Sequence, residues 1–532
     1  MSRTAQPDVS VVMAVYNTLP YLRECLDSLV DQTIGHERME IVAVNDGSTD
    51  GSREELERYA DKYPDLFTIL DQENSGSAAA PSNRGMERAA GRYVFFMGSD
   101  DYLGRESLAR MVDYADDQGS DVVVPKMIGV GGKAVAKRIF ANTDPDVSLY
   151  DSPLPWAISN TKLFRLDHVR EIGAAFPESM KFTSDQPFAL HAMILAEKVS
   201  VLADYDHYFA VRREDDSNIT YSVTHPERAR CTRKVMDTVA DLVEPGPRRD
   251  AVIVRLFSVE FRNALEGDFL QLPEDLQRET MNVIADAADA YFTDRIRDRL
   301  LIERRARIML AQAGDLDALK EFVYYTTNGP VPGFRLAEGG VFAMYPSYGE
   351  SVVPDRAFEV LDESVKGRFA KGVTQARMRK GSDGSITVGF EVPLSGSNAD
   401  EHLSVVPLEL KPGKKPPKAK TLSLEDAGGE SAEFSASEGA HGDRTKVSIR
   451  LSAEDFAGAD VGRWQVRVRT RLKDKVYDLP LSFRKQGEPL TVRKGVKAYS
   501  VHVKGADGGV LECRRVSLLG KVTRVARRIA GK

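Results

Sequence analysis

Uninterrupted apolar runs separated by helical periods mark the first hundred residues of the chain. The intervals between these runs carry apolar residues at helical spacing, as in residues 18–29. Strands that alternate with helices predict a doubly wound α/β domain with a parallel sheet. Four apolar runs predict strands buried on both faces: residues 8–17, 39–46, 66–70 and 92–97.

Polar residues stand where the predicted strands end. Asn17, Asp46 and Asp100 each follow a buried run, and ligands of such sheets bind at the carboxyl ends of the strands. We therefore expect these three side chains to line one crevice. Asp101 follows Asp100 directly, and adjacent carboxylates repel each other unless a cation neutralises them. A divalent ion bound to a diphosphate would do so; the alternative is an acidic turn that caps the next helix.

The pattern changes along the rest of the chain. Residues 121–222 are predicted to mix strands with helices. In the next hundred residues apolar side chains recur at helical spacing, which predicts helices. Beyond a Gly/Pro-rich junction, apolar and polar residues alternate, which indicates antiparallel strands with one solvated face. A basic, proline-broken linker at 411–420 divides these strands, so two small β-sandwiches are the simplest interpretation. The predicted regions are 1–222 (α/β), 223–327 (helical linker), 350–412 and 419–505 (β-sandwiches) and 510–532 (tail).

Composition and charge exclude several classes of protein. The chain of 532 residues has room for about three or four domains, and its formal net charge of -7 predicts no nucleic-acid partner. Its 3 cysteines are far apart and lack metal-binding spacing, which favours a reducing compartment. The first apolar run is too short for a signal peptide, and no stretch is long enough to cross a membrane. These features predict a cytoplasmic protein.

Four ordered segments carry a resemblance to a known family: VSVVMAVYN, IVAVNDGSTDGS, NSGSAAAPSNRGM and YVFFMGSDDYL. Over about its first 220 residues the chain resembles the family 2 glycosyltransferases, which have the Rossmann-like GT-A fold. The resemblance implies a UDP-sugar donor, with Asp46 on the uracil. It also implies that Asp100 binds Mn2+ or Mg2+ and that His207 completes the metal shell. The residues implied for the nucleotide sugar are Ala14, Tyr16, Asp46, Asn74, Asn83, Ser99, Asp100, Arg212 and Arg213.

The chain departs from the family pattern at two places. Gly98 stands where the family usually has the first acid of its Asp-Ser-Asp-Asp motif. Ser82, between Pro81 and Asn83, stands where close relatives often have an arginine that could meet phosphate. We consider Arg84 as a replacement for that cation.

The resemblance also implies a direct, inverting displacement, which needs a base for the acceptor hydroxyl. The segment FTSDQPFALHAMIL (182–195) places Asp185 about eighty residues after Asp100, where the family has its base. Asp185 is therefore the predicted catalytic base. The alternative is that Asp185 caps the apolar helix that follows it.

The order of the regions is similar to that of bacterial wall teichoic acid glycosyltransferases, which join a GT-A domain, a helical linker and immunoglobulin-like domains that trimerise. This resemblance implies an anionic glycopolymer as acceptor and immunoglobulin-like C-terminal domains that form a homo-oligomer. Cations early in the helical region would then bind the acceptor phosphates: Arg228, Arg230, Arg233 and Lys234. The alternative for these four residues is a solvated helix face.

The tail at 513–532 is basic, and its apolar residues recur at helical spacing. A basic amphipathic helix suits an anionic membrane surface, so one hypothesis is peripheral contact with the inner face of the cell membrane. The alternatives are a helix packed on a partner subunit and a disordered cationic end.

Together these features predict an inverting, metal-dependent glycosyltransferase. It would move a sugar, with N-acetylglucosamine as one candidate, from a UDP-sugar to a hydroxyl of a cell-envelope glycopolymer such as teichoic acid. One alternative is a capsule or exopolysaccharide glycosyltransferase that builds a chain. Another is a glycan-binding scaffold without catalytic activity, which the missing acid at Gly98 favours.

Overall fold

The chain forms two compact units, residues 1–300 with 307–316, and residues 301–306 with 317–532. The computed structural model describes most of the first unit and separate segments of the second. The described residues are 6–213, 223–337, 340–361, 367, 370–371, 373–380, 386–395, 403–409, 420–422, 433–437, 444–451, 461–472, 475–484, 490–494, 497–504 and 510–516.

A sheet of seven strands forms the centre of the first unit, in the order β3-β2-β1-β4-β8-β6-β9. Strands β3, β2, β1 and β4 are parallel, as the apolar runs predict. A smaller sheet of β5, β10 and β7 lies beside the site described below. The strands are β1 (Val9–Val15), β2 (Met39–Asp46), β3 (Phe67–Gln72), β4 (Tyr93–Gly98), β5 (Tyr102–Leu103), β6 (Val122–Pro125), β7 (Met127–Val130), β8 (Leu163–Arg165), β9 (Val199–Leu202) and β10 (Tyr208–Val211).

Strand β8 departs from the parallel arrangement that the first hundred residues predict. This strand runs antiparallel to both of its neighbours, β4 and β6. A parallel connection needs a crossover of a dozen or more residues, usually a helix. Between β7 and β8 the described chain contains short 3-10 turns and no α-helix, so it returns across the sheet in the opposite direction.

Helices cover the sheet and bury apolar residues against it. In α1, residues Leu22, Cys25, Leu26 and Leu29 are fully buried at the spacing of one helix face. In α3, Gly85 lies against β1, and a Cβ at this position would stand 2.4 Å from Val12 Cγ1. The helices are α1 (Tyr21–Val30), α2 (Ser52–Lys62), α3 (Ala79–Arg88), α4 (Ser107–Gln118), α5 (Leu166–Glu171) and α6 (Asp185–Ile194).

Helices also make up the next part of the chain, which confirms the predicted helical linker. Helix α7 packs against α6, α8 and α9. A proline stands in the first turn of both α7 and α8, where its missing N–H costs no hydrogen bond. The helices are α7 (His225–Leu242), α8 (Pro247–Ala264), α9 (Glu274–Tyr291), α10 (Asp294–Arg299), α11 (Ile302–Ala313) and α12 (Leu316–Asn328).

The described residues beyond α12 are mainly β-strands, as the alternating pattern predicts. They form three sheets, β12-β11-β15, β13-β14-β19-β18 and β17-β21-β20-β24-β23-β22, with β16 paired to β20. The strands are β11 (Phe334–Ala337), β12 (Gly340–Ala343), β13 (Arg377–Lys380), β14 (Ile386–Val392), β15 (Leu394–Ser395), β16 (Leu403–Glu409), β17 (Lys420–Leu422), β18 (Glu433–Ser437), β19 (Arg444–Leu451), β20 (Val461–Leu472), β21 (Lys475–Pro480), β22 (Leu490–Lys494), β23 (Lys497–Lys504) and β24 (Val510–Val516).

The strand pairing differs from the predicted division into sandwiches at 350–412 and 419–505. Strand β14 pairs with β19 over seven residue pairs, and β16 pairs with β20. Each pair joins a strand before the basic linker to a strand after it. The linker at 411–420 therefore connects strands of shared sheets, because backbone groups on either side of it complete each other's hydrogen bonds.

The predicted helical tail begins inside a strand. Residues 510–516 form β24, which pairs with β20 and β23. The rest of the tail, 517–532, lies outside the described residues. Across the described part of the chain, no helix has the length and apolar character needed to cross a bilayer.

Candidate active site

A cavity of about 460 Å³ opens at the carboxyl ends of β1 and β4. These strands contribute Ala14 and Gly98, α3 contributes Ser82, and the start of α6 contributes Asp185. Arg228 of α7 also lines it. The structure thus brings Asp185, the predicted catalytic base, into one space with the end of β4. We name this space the active cavity.

The adjacent acids that follow β4 have different partners. Asp101 Oδ1 accepts a hydrogen bond from the Val211 N–H at 2.7 Å, and its Oδ2 accepts one from the Tyr208 hydroxyl. Burial, followed by the charge of Asp100, raises the pKa of Asp101 to about 7. Asp100 instead accepts from Arg213 Nε at 2.8 Å, and both side chains of this pair are about 15% exposed. Arg213 therefore offsets one of two mutually repelling charges.

The space above Gly98 is filled by these two carboxylates. A Cβ at this position would stand 2.8 Å from Asp101 Oδ2 and 3.0 Å from Asp100 Oδ1. The absence of a side chain lets both acids fold back over the end of β4. This contact is a physical reason for glycine at the position where the family pattern has an acid.

Tyr208 is a site residue that sequence reasoning missed. Its hydroxyl accepts from the Gly98 N–H at 3.1 Å and donates to Asp101. Burial, together with the charge of Asp101, raises the pKa of Tyr208 well above its usual value, so the hydroxyl stays a donor. Only its place in an apolar strand marks it in the sequence, and many core tyrosines share that feature.

Asp46 ends β2, as predicted, and is buried. Its Oδ1 accepts from Gln72 Nε2 at 2.6 Å, and the backbone and hydroxyl of Ser75 also donate to the carboxylate. Asp46 and Asp100 are absent from the lining of the active cavity among the described residues. A uracil ring that hydrogen-bonds Asp46 would have to displace Ser75.

The residues after β1 include an exposed aromatic ring. Tyr16 is 47% exposed, which is unusual for a tyrosine beside a buried strand. Asn17 next to it has a positive φ of 47°, and its Oδ1 accepts from the Thr49 N–H at 2.8 Å. Asn74 Oδ1 accepts from the Gly76 N–H and so shapes the loop after β3. These side chains occupy strand ends, as expected.

Asp185 is the first residue of α6 and lines the active cavity. Its neighbour Ser184 is the N-cap, and no side-chain hydrogen bond caps this helix. Burial raises the pKa of Asp185, and Lys162 opposes that shift. A carboxylate with a raised pKa in a cavity is suited to accept a proton.

Lys162 is a second residue that sequence reasoning missed. It lies just before β8, is 1% exposed, and donates to the Ser159 carbonyl. Burial lowers the pKa of Lys162 to about 7, while Asp185 opposes that change. Nothing in its sequence context distinguishes it from a surface lysine.

The four predicted acceptor-binding cations do not form one track. Arg228 lines the active cavity, stacks on Phe182 with 4.4 Å to the ring centroid, and lies 3.7 Å from Glu260. The other three point elsewhere and have partners of their own. Arg230 pairs with Glu227 and Glu279, Arg233 pairs with Asp237, and Lys234 contacts Ser179.

Three residues of the third family motif, Ser82, Asn83 and Arg84, have different surroundings in the structure. Asn83 donates to the Phe176 carbonyl at 2.9 Å and accepts from the Phe176 N–H at 2.8 Å, so its amide ties α3 to a neighbouring loop. Ser82, which replaces the arginine of relatives, lines the active cavity. Arg84 donates to the Asp71 carbonyl at 2.6 Å and is absent from the described lining, so it is no replacement there.

His207 is buried beside a carboxylate other than Asp100. It is fully buried, its Nε2 lies 3.2 Å from Asp204 Oδ1, and its ring packs edge-on against Tyr205. Burial lowers its pKa. Within the described residues no group of three or more His, Cys, Asp or Glu is arranged to hold a metal, and a shell of Asp100 and His207 stays a prediction.

Two further predicted residues directly follow strands. Ser99, between the end of β4 and Asp100, is 5% exposed. The Arg212 N–H donates to the Val130 carbonyl at 3.2 Å, which extends the pairing of β10 with β7. The chain continues from Arg213 into residues 214–222, which lie outside the described residues.

Asp100 and Asp101 fit a divalent ion that shares its ligands with a substrate. Mg2+ is typically held by one or two carboxylates, with substrate phosphates and water completing its octahedron. Two acids over a side-chain-free glycine supply that number of protein ligands. In this structure Arg213 supplies the compensating charge.

Comparison with known proteins defines the class of the first unit. The profile described as Glycosyl transferase family 2 matches residues 10–168, and that described as Glycosyl transferase TarS linker domain matches residues 229–323. Together with the Rossmann-like sheet, the first match shows that residues 10–168 form a glycosyl transferase family 2 domain.

Among curated relatives, "Poly(ribitol-phosphate) beta-glucosyltransferase" of Bacillus spizizenii is 36% identical over 251 residues, which is 47% of this chain and 39% of the relative. "Poly(ribitol-phosphate) beta-N-acetylglucosaminyltransferase TarS" of Staphylococcus aureus is 29% identical over 62% of this chain and 57% of its own length. The chain therefore spans about two fifths to three fifths of these relatives.

A solved structure shares the arrangement of the first unit. The crystal structure of S. aureus TarS 1-349 in complex with UDP-GlcNAc has a TM-score of 0.58 and 27% identity, and covers 67% of this chain and all of that one. The crystal structure of S. aureus TarS, at 21% identity and a TM-score of 0.60, shares the fold over 96% of this chain and 86% of its own length.

Proposed function

We propose that this chain is an inverting glycosyltransferase that moves a sugar from a UDP-sugar to a hydroxyl of an anionic polyol-phosphate polymer. The observation that carries the proposal is the active cavity, in which Gly98 at the diphosphate end and Asp185 line the same space. A direct displacement needs the leaving diphosphate on one side of the anomeric carbon and the base for the acceptor hydroxyl on the other.

The donor would bind across the ends of β1, β2 and β4. Tyr16 offers an exposed ring on which the uracil can stack. Asp46 offers a carboxylate to the uracil once Ser75 moves aside. The relative solved in complex with UDP-GlcNAc supports a UDP-sugar in such a site. N-acetylglucosamine and glucose are the two sugars that the names of the relatives suggest.

Asp100 would hold a divalent ion, assisted by Asp101. When bound, such an ion neutralises charge that develops on the leaving diphosphate. Arg213, which now pairs with Asp100, would be free to approach the diphosphate once that ion compensates the acid. The buried Tyr208 hydroxyl keeps Asp101 in place throughout.

Asp185 would accept the proton of the acceptor hydroxyl. Its raised pKa matches the task, because an acid held partly out of water is a stronger base than an exposed one. The names of the relatives specify β-linked products, and a β product from an α-linked UDP-sugar requires inversion. Arg228 in the same cavity would meet a phosphate of the acceptor.

Three further hypotheses concern the remainder of the chain. The C-terminal strands would have an immunoglobulin-like arrangement and form a trimer, and the basic tail at 513–532 would contact the inner membrane surface. These hypotheses rest on the resemblance and on the basic tail. Oligomeric state in solution and co-sedimentation of the full chain with anionic vesicles would test them.

Release of UDP tests the proposed activity. The full-length protein is incubated with a panel of UDP-sugars and Mn2+ or Mg2+, with and without a ribitol-phosphate oligomer. We expect acceptor-stimulated UDP release for one sugar, and loss of it in Asp100→Ala. In Asp185→Asn, transfer should fall by about 10²–10⁴-fold while UDP binding measured by calorimetry persists.

Two outcomes would contradict this proposal. If the wild type releases no UDP from any UDP-sugar, the scaffold alternative gains support. If Asp185→Asn loses UDP binding together with transfer, Asp185 is needed for the donor site and is not the base. Arg278→Gln, on the exposed face of α9, is the control for unspecific effects of a substitution.

A further inference from the structure

A second cavity, of about 600 Å³, lies in the first unit and is lined by residues that no step above uses. Trp156, at the end of a 3-10 turn, lies in its wall and is 40% exposed. We name this space the Trp156 cavity. Its lining residues are Ala134, Val135, Ala136, Lys137, Arg138, Ile139, Asp151, Ser152, Pro153, Trp156, Arg255, Val259 and Arg299.

The charge of this lining is strongly positive. Lys137, Arg138, Arg255 and Arg299 face a single acid, Asp151, among the described residues. Lys137, Arg138 and Arg299 make no ion pair with any residue in the described part of the chain. Unpaired cations around a concave surface attract an anionic ligand.

Trp156 adds a second kind of contact. Large aromatic rings are usually more deeply buried than this one. An exposed indole inside a cavity offers a flat apolar face, on which the C–H groups of a sugar or polyol can stack. Cations beside an aromatic face therefore suit a ligand that alternates hydroxyl-bearing carbon chains with phosphates.

Arg255 connects the two cavities. It lines the Trp156 cavity, and its Nη1 donates to Gln186 at 3.2 Å and Glu260 at 2.8 Å, both of which line the active cavity. Its Nε is buried without a hydrogen-bond partner in the described structure. One guanidinium thus forms the wall between the space that holds Asp185 and the space that holds Trp156.

A row of cations leads from the Trp156 cavity toward the acids after β4. A smaller cavity of about 310 Å³ shares Val135 and Lys137 with it and is also lined by Lys126 and Lys133. Lys133 lies near enough to Asp101 to lower the pKa of that acid. Lys126 pairs with Asp206 at 2.7 Å, so Lys133 and Lys137 carry the positive charge between the Trp156 cavity and the acids after β4.

We infer that the Trp156 cavity binds a polyol-phosphate unit of the acceptor polymer, one that neighbours the unit whose hydroxyl reacts. This inference rests on the proposed function, because it assumes that the acceptor enters the active cavity. A repeating polymer can occupy both spaces at once, and the second contact raises its effective concentration at the first.

Kinetics with short and long acceptors test the inference. The variants are Trp156→Ala and Arg299→Gln in the full chain, with Trp156→Phe as the conservative replacement and Arg278→Gln as the matched surface control. The acceptors are a single ribitol phosphate and a long ribitol-phosphate oligomer. We expect the KM for the long oligomer to rise about tenfold, which corresponds to the loss of one charge-assisted or stacking contact.

The other kinetic constants should stay close to those of the wild type. The KM for the UDP-sugar and the rate with the single unit should change by less than about twofold, since a group outside the reacting unit mainly supplies uniform binding. Trp156→Phe should restore most of the affinity. An unchanged KM for the long oligomer, or an equal loss with both acceptors, would overturn the inference.

Binding measured without the donor separates failure of this inference from failure of the proposed function. If calorimetry shows that Trp156→Ala weakens binding of the long oligomer about tenfold, the site stands even where no sugar is transferred. If inorganic phosphate alone competes fully with the oligomer, the cavity recognises phosphate only and the polymer assignment fails. If the variants instead lose binding to anionic lipid vesicles and keep the oligomer, a membrane surface is the ligand.

Discussion

Gly98 decides how charge is arranged after β4. Because it has no side chain, the carboxylates of Asp100 and Asp101 fold back to within about 3 Å of the position a Cβ would take. Burial, followed by the charge of Asp100, already raises the pKa of Asp101 to about 7, and a third acid there would add to the repulsion. The chain has two acids and the ion pair with Arg213, which leaves less charge for a metal to compensate.

Lys162 gives a prediction at the scale of one residue. Its charge favours the ionised form of Asp185, so Lys162→Met should raise the pKa of Asp185 further. A base acts only when it is deprotonated, so the acid limb of the profile of kcat/KM against pH should move to higher pH. Because the pKa of Lys162 is lowered to about 7, the difference from the wild type should be confined to lower pH.

Two controls accompany this measurement. Lys320→Met removes a partly exposed lysine of α12 and should leave the profile unchanged. A thermal melt of Lys162→Met checks that the variant still folds, since the side chain it replaces is fully buried. A shift of the acid limb to lower pH, or no shift in a folded variant, would show that Lys162 does not act on the base.

The local rules of sequence locate site residues but not their directions. Asp46 ends β2 and Asp100 follows β4, as the strand-end rule predicts, but of the predicted acids only Asp185 appears in the described lining of the active cavity. The family resemblance implied a donor contact for Asn83, whose amide hydrogen-bonds Phe176 in the structure. Sequence reasoning overlooked Lys162 and Tyr208, because side-chain direction and burial depend on contacts with distant parts of the chain.

At the scale of elements, helix α2 shows how tertiary contacts change a local signal. Ser52 and Glu55 have the spacing of a capping box. In the structure Gly51 is the N-cap, and the Ser52 hydroxyl accepts from the Thr18 N–H at 3.1 Å. The hydroxyl thus joins two strand-to-helix turns beside the site, a contact that requires the fold to be in place.

Asn83 gives a prediction at this scale. Its side chain makes three hydrogen bonds that join α3 to residues 176–178. Asn83→Ala would leave the Phe176 backbone groups unpaired, so the free energy of unfolding should fall by about 1–3 kcal/mol. The KM for the UDP-sugar should change by less than about twofold in the folded variant, since the residue supplies no donor contact in this arrangement.

Denaturant melts and donor kinetics at a temperature well below the transition check this prediction. Asn142→Ala, at an exposed position of the same unit, is the control. A large increase in the KM for the UDP-sugar with unchanged stability would return Asn83 to the role that the family resemblance implied for it.

At the scale of the whole molecule, the strands before and after residues 411–420 belong to common sheets. Strand β14 pairs with β19, and β16 pairs with β20. The proline-broken linker suggested separate sandwiches because composition marks where a chain turns, but not which strands pair after the turn.

A cleavage experiment tests the shared sheets. A protease recognition sequence inserted within 411–420 of the full chain would be cut after purification. We expect the two fragments to co-elute under native conditions and to separate only in denaturant, because each completes hydrogen bonds of the other. As a control, the uncut protein with the same insertion should elute identically. Fragments that separate without denaturant would instead support independent sandwiches.

The sequence alone determined the alternation of strands and helices, the acids at strand ends and the resemblance of the first part of the chain to family 2 glycosyltransferases, because these depend on local periodicity and short motifs. The tertiary structure decided the antiparallel strand β8, the partners of Asp100 and Asp46, and the cavities that hold Asp185 and Trp156. Each of these depends on contacts between residues far apart in the chain, and neither composition nor spacing encodes where such residues meet.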